Sequence, residues 1–174
     1  MRYVAALLVA LVVVAAVPVA AERVTTIDVM PLRENILSLD HEWIGSNLTS
    51  TGIKLALGRQ VLDADEMTLL GGAIGRRWYI AAQDNPARKV YTGGHLFGQQ
   101  IKTENQGGTE THSAVGIISE LGFKVRTRLG ATIDVGPTVT VPVYTRAAYP
   151  DGEVDESFLA PIATNWKIGV GFSW

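Results

Sequence analysis

The last nine residues alternate without a break. Trp166, Ile168, Val170, Phe172 and Trp174 fall on even positions, and Lys167, Gly169, Gly171 and Ser173 on odd ones. An apolar set recurring every second residue is coherent on a β-strand, whose side chains point to opposite faces in turn, and is scattered around a helix. The preceding segment repeats the pattern. Leu129, Ala131, Ile133, Val135, Val139, Val141 and Val143 share one face, against Thr132, Asp134, Gly136, Thr138 and Thr140. Further upstream, Val115, Ile117, Leu121, Phe123 and Val125 oppose Gly116, Glu120, Gly122 and Lys124, with Ile118 and Ser119 out of pattern. Ile53, Leu55 and Leu57 oppose Lys54, Ala56 and Gly58, and Leu37, Leu39 and Trp43 oppose Ser38, Asp40 and Glu42.

Turn-forming residues separate these runs: 31–35, 45–49, 58–66, 81–88, 104–110, 126–128 and 144–157. Gly, Asn, Asp and Pro give each of them a mechanism for reversing the chain. The pattern predicts eight strands, over about residues 24–31, 36–44, 50–58, 67–80, 88–103, 111–125, 129–143 and 159–174. Neither face is cleanly apolar over 67–80 and 88–103. An even number of short antiparallel strands predicts an all-β, eight-stranded up-and-down transmembrane β-barrel with both chain ends on one side. Pro137, Pro142 and Pro161 interrupt the last two strands. A closed barrel has no free edge for a residue lacking a donor, so bulges or extensions into water are expected there.

Residues 1–21 stand apart from this pattern. Arg2 precedes an almost unbroken apolar run from Val4 to Val17, followed by Pro18 and the small residues Val19-Ala20-Ala21. That run is short for a membrane span and ends as a signal-peptidase site does, so it reads as a secretory signal peptide; a retained N-terminal anchor is the alternative. The barrel domain is then 22–174. Cysteine is absent from the 174 residues and the net charge is −2, which argue against a disulfide scaffold and a nucleic-acid partner. There are 18 glycines. They are concentrated on the polar faces, which otherwise hold few long charged side chains.

A soluble lipocalin-like barrel, binding a lipophilic ligand inside, also alternates. The distribution of aromatics favours a membrane. With the N-terminus in the periplasm, Trp43, Trp78, Tyr79, Tyr91, Phe123, Phe172 and Trp174 all fall near the periplasmic rim and are expected to form an aromatic girdle. Turning the apolar sets outward places Asp28, Asp40, Glu42, Lys54, Glu120, Lys124, Asp134 and Lys167 in the lumen, with one of Arg76 and Arg77. Such charges in an eight-stranded interior are expected to form a structural network filling a narrow lumen, the alternative being an ion path or a catalytic carboxylate pair.

The closing residues Lys167–Trp174 resemble the C-terminal signature of outer-membrane barrels, an alternating strand that ends on an aromatic residue. The resemblance implies recognition by the barrel-assembly machinery. Met30-Pro31-Leu32 and Asn35-Ile36-Leu37-Ser38-Leu39-Asp40-His41-Glu42 resemble the start of the DUF3575 family of small outer-membrane barrels. Met30 stands where that family has Asn, and Asp40-His41-Glu42 where it has an acidic-aromatic-acidic triplet. This resemblance implies a fold and an outer-membrane location, and brings no catalytic residue with it. Outer-membrane lipid and lipopolysaccharide are the expected partners, and a monomer the expected state.

A lipid-modifying hydrolase is the enzymatic alternative. The lipid A deacylase barrels carry His and Ser two apart on one strand, whereas His112 and Ser113 here are adjacent and point to opposite faces. A cross-strand pair of His95 and Ser119 on the lipid side is the remaining candidate for an activated nucleophile. No catalytic residue, cofactor or metal is expected. Asp63, Asp65 and Glu66 read as a solvated acidic loop, because their spacing lacks the Gly and the distal Glu of a calcium loop. Loop 144–157, with Asp151, Glu153, Asp155 and Glu156, is the expected place for any ligand contact.

Overall fold

The computed structural model describes residues 22–45, 48–62, 65–81 and 88–174. The proposed signal peptide, Asp63 and most of the turn at 81–88 lie outside the described residues. The strands are β1 (Glu22–Asp28), β2 (Ile36–Ile44), β3 (Thr49–Leu62), β4 (Asp65–Ala81), β5 (Arg88–Asn105), β6 (Gly108–Arg126), β7 (Ala131–Ala148), β8 (Val154–Phe158) and β9 (Ala163–Ser173). A single 3-10 turn, Pro31–Glu34, links β1 to β2. Each strand from β1 to β7 pairs antiparallel with the next, and β9 bridges β7 and β1. The circle is therefore closed by eight staves. β8 lies outside it, paired only to the far end of β7.

Following cross-strand partners from Asp28 through Ser38, Ala56, Gly71, Gln99 and Ala114 leads to Thr145 on β7. Going the other way, through Gly169, leads to Asp134 on the same strand. The separation of these two end points is the stagger that closure demands, and it tilts every strand against the barrel axis.

Most large apolar side chains face outward. Leu55, Leu70, Leu96, Ile117, Leu121, Ile133 and Val170 are all exposed, while Asp40, Glu42, Arg77, His95, Glu120, Lys124, Asp134 and Lys167 are buried. This reverses the arrangement of a soluble lipocalin-like barrel, whose apolar residues line the inside. Ile118 and Ser119 keep strict alternation, Ile118 turning inward and Ser119 outward, so the lapse in their sequence pattern is not a lapse in the strand.

Five of the seven expected girdle residues sit outside at the end where the termini meet: Trp43, Trp78, Phe123, Phe172 and Trp174. Tyr79 and Tyr91 do not. Both are buried in the lumen, because they share a face with Arg77 and with Gly93 and His95. The outward neighbours on those strands are Trp78 and Ile80, and Val90 and Thr92.

The hairpins at the other end are longer than the hydropathy pattern predicts. Residues 58–66 and 104–110 are mostly strand, and the expected loop 144–157 is a hairpin in which Tyr144–Ala148 pairs with Val154–Phe158. Outward apolar residues thin out beyond Leu57, Leu70, Leu96 and Val115, where Arg59, Thr68, Gln100 and Ser113 follow toward the hairpin tips, although Val61 is exposed beyond Arg59. Where both faces of a hairpin are wet, alternation fades although pairing continues. One of the three prolines meets the expectation of a bulge: Pro142 lies opposite Gly116, and the register slips at the next residue. Pro137 stays in register opposite Trp166, and Pro161 falls in the gap between β8 and β9.

Glycine sets the width of the lumen at one point in particular. The Tyr91 ring lies directly on Gly122, where a Cβ would collide with the phenol. Gly94, on the outward face of β5, has nothing within 4 Å of its Cβ position. Replacing Gly122 by Val is expected to destabilise the barrel by about 1–3 kcal/mol or more through overpacking. Gly94→Val should be close to neutral. Urea unfolding of the two variants side by side checks the pair.

Candidate functional site

Side chains from seven strands meet across the half of the lumen nearest the termini. Arg77 on β4 is the hub. Its Nη1 donates to Glu42 at 2.9 Å, its Nη2 to Asp40 and to Glu120 at 3.3 Å, and its Nε to the other oxygen of Glu120. A planar guanidinium suits this position, since its donors are fixed in one plane and fan out to several acceptors. Three lysines complete the set. Lys167 bridges Asp40 at 2.8 Å and Asp134 at 2.6 Å. Lys54 donates to Glu120 at 2.7 Å and lies 3.7 Å from Asp40. Lys124 bonds Glu42 and stands 3.8 Å from Asp134.

The cluster thus holds four carboxylates and four cations, and every ion touches more than one partner of opposite sign. Neutral donors take up several of the remaining lone pairs. Tyr79 and Ser50 both donate to Glu42, and Tyr91 donates to Asp134 at 2.6 Å. His95 Nε2 lies 2.6 Å from Glu120 Oε1. Among the described residues, the buried side-chain atoms left without a hydrogen-bond partner are Asp40 Oδ1 and His95 Nδ1.

Seven of the eight charged residues expected in the lumen are brought together here: Asp40, Glu42, Lys54, Glu120, Lys124, Asp134 and Lys167. Asp28 is not among them. It sits at the far end of β1, where its Oδ1 accepts the Met30 and Ile168 backbone amides at 3.2 Å each. Of the two adjacent arginines, Arg77 is the one inside. Sequence reasoning missed Ser50, Tyr79, Tyr91 and His95, although strict alternation from Arg77 and Glu120 places all four once the strand registers are known.

Register also takes apart the His95–Ser119 pair. His95 lies opposite Ile118, and Ser119 opposite Gly94. His95 points into the lumen while Ser119 faces out. His41, on the outer surface, accepts or donates a 2.7 Å bond with Thr25 and packs edge-on to Trp43. His112 lies near a hairpin tip, 3.7 Å from Glu110. Among the described residues no group of three or more His, Cys, Asp or Glu side chains is placed to hold a metal ion.

No protein-family model matches the chain, and no curated protein sequence does. Solved structures match in shape. Ail, the attachment invasion locus protein of Yersinia pestis, superposes with a TM-score of 0.54 at 12% identity, over 89% of this chain and 99% of that one. A major outer membrane protein from Thermus thermophilus gives 0.51 at 8% identity, over 88% of this chain and 98% of that one. At such identities the likeness is one of fold.

Removing the hub separates the cluster from ordinary surface pairs. Arg77→Met leaves Asp40, Glu42 and Glu120 short of a buried counter-charge, and is expected to cost about 3–5 kcal/mol. Arg77→Lys should recover only part of this, because one ammonium cannot serve three carboxylates set around a plane. Arg59→Met, which breaks an exposed pair with Glu66, should leave the unfolding midpoint unchanged. Urea midpoints for the three variants, at low and high salt, supply the comparison.

Proposed function

We propose that this chain is a non-enzymatic outer-membrane barrel with a structural or surface-interaction role. The observation that carries the reading is the sorting of side chains in a closed barrel. The outside is apolar and rimmed by Trp43, Trp78, Phe123, Phe172 and Trp174, while the inside holds a charge-balanced ionic cluster. Such an exterior is costly in water and stable in hydrocarbon, and closure leaves no backbone edge within the apolar band. The fold shared with outer-membrane proteins of known structure supports the same location.

In this reading the chain ends lie on the periplasmic side and the long hairpins project outward. There β3 to β8 continue as a tall wall, while β1, β2 and β9 stop low. Among the described residues the wall ends in a free edge. Leu159 N–H and Glu153 C=O both turn toward β7 or its turn, so Val154, Glu156 and Phe158 direct their backbone groups to the open side of β8. An unpaired edge above the membrane, carrying Asp155 and Glu156, is a surface made for contact and supports an interaction role.

Fractionation tests the location. The protein should be recovered in outer membranes, with a gel mobility that changes on boiling; recovery as a soluble periplasmic species would overturn the proposal. A second test uses the exterior. Leu96 faces out between Ile74 and Ile117 on the neighbouring strands. Leu96→Arg is expected to lower stability in lipid vesicles by about 2–4 kcal/mol, against about 0–1 for Leu129→Arg in the turn at the terminal end.

A further inference from the structure

The outside of the barrel carries a charge that the apolar band does not explain. Alternation along β4 turns Arg77 and Tyr79 into the lumen and sends Ile74, Arg76, Trp78 and Ile80 outward. Arg76 is exposed, with exposed apolar residues on both sides of it along the strand: Leu70 toward the hairpins, Trp78 and Ile80 toward the termini. It therefore lies within the band, just above the girdle residue Trp78. Arg77 beside it in sequence holds three carboxylates. Arg76 itself has no hydrogen bond or ion pair among the described residues. A guanidinium facing hydrocarbon without a partner is costly, and least so near an interface that its long stem can reach.

The neighbours of Arg76 form a polar notch in that apolar surface. One cross-strand row runs from Thr51 on β3 through Arg76 to Gly94 on β5 and Ser119 on β6. The Thr51 and Ser119 hydroxyls have no side-chain partner among the described residues. Nothing lies within 4 Å of the Cβ position of Gly94, so the row is bare between Arg76 and Ser119. On the hairpin side the notch is bordered by Ile53, Ile74, Leu96 and Ile117, and on the terminal side by Trp78 and Leu121. A cation and two hydroxyls thus sit at the foot of an apolar slope that rises toward the middle of the membrane.

We infer that this notch binds the phosphodiester headgroup of an acyl-chain lipid in the periplasmic leaflet. The planar guanidinium of Arg76 presents paired donors that match two phosphate oxygens, and the Thr51 and Ser119 hydroxyls flank them. The acyl chains would rise over Ile74, Leu96 and Ile117. A lipid supplies anion and apolar chain together, whereas a free phosphate ion would have to leave water for an apolar surface. The inference rests on the membrane reading given above. Fractionation tests that reading and headgroup discrimination in detergent tests this one, so the two fail separately.

The test is native mass spectrometry of the folded barrel released from detergent with phosphatidylglycerol or with diacylglycerol of the same chains. Phosphatidylglycerol adducts should be retained at least about tenfold more than diacylglycerol adducts, as expected for charge-assisted hydrogen bonds. Arg76→Gln should abolish this preference, and Arg76→Lys should keep part of it. Gly94→Val fills the bare position without touching the arginine, and should weaken the preference in a barrel of unchanged stability. Arg59→Gln, which alters an exposed arginine at a hairpin, should leave it unchanged. Heat-dependent gel mobility reports folding of each variant independently of lipid. Equal retention of the two lipids, an unchanged preference in folded Arg76→Gln, or displacement of the lipid by inorganic phosphate would overturn the inference. So would a dimer that Arg76→Gln dissolves, which would give the arginine to a second copy of the chain.

Discussion

A narrow barrel with a charged interior is tenable only if its charges cancel at contact distance. Eight ionised side chains share the lumen here, and none is free to reach bulk water at low cost. Desolvating each of them costs several kcal/mol, which attraction recovers only where geometry is close and remaining lone pairs are satisfied. Arg77 makes the solution possible by touching carboxylates from β2 and from β6 at once. The cluster therefore ties opposite walls of the barrel together. It need not add much net stability, yet any single deletion is severe, because the cost falls on the partners left behind.

That arrangement depends on parity. A strand that slipped by one residue would turn Arg77 into the apolar surroundings and Trp78 into the ionic cluster, so register is specified by every charged position at once. The same alternation explains why Tyr79 and Tyr91 belong inside. A phenol beside a carboxylate fills volume and donates one hydrogen bond, both of which the cluster needs around Glu42 and Asp134. The outward aromatics at that end, Trp78 and Phe123 among them, have no such partners and serve the surface instead.

Much of this was legible in the chain. The charged residues on the polar faces of β2, β3, β6, β7 and β9 were readable because the opposite faces of those strands are apolar over most of their length. β4 and β5 were not, and the errors concentrate there. Gly-Gly pairs at Gly71-Gly72 and Gly93-Gly94 contribute no hydropathy to either face, and Arg76-Arg77 and Trp78-Tyr79 place like residues on both. Position alone then suggested a girdle for Tyr79 and Tyr91, and a lipid-facing His95. Strand ends were also hidden. Hairpin segments such as Arg59–Val61 and Tyr144–Ala148 are wet on both sides, so pairing leaves no periodic signature and turn-rich composition reads as loop. Asp28 shares the inward face but stands apart from the cluster, since alternation reports the side of the sheet and carries no information about depth along the barrel.

The two halves of the lumen answer one constraint in opposite ways. Polar groups enclosed by the barrel must find partners, either in each other or in water. Near the termini, long side chains reach across and satisfy one another, which fixes the cross-section and fills it. Near the hairpins, Ser38, Gln99, Thr138 and Asn165 are too short to meet, so their hydrogen-bonding groups face a space open to water. The low wall of β1, β2 and β9 leaves that space open on one side, and the tall wall of β3 to β8 overhangs it on the other. Rigidity is thus invested at one end, where the ionic braces hold the staves in register. The other end can stay hollow without the barrel collapsing, because a continuous ladder of backbone hydrogen bonds, unlike side-chain packing, needs nothing in the middle.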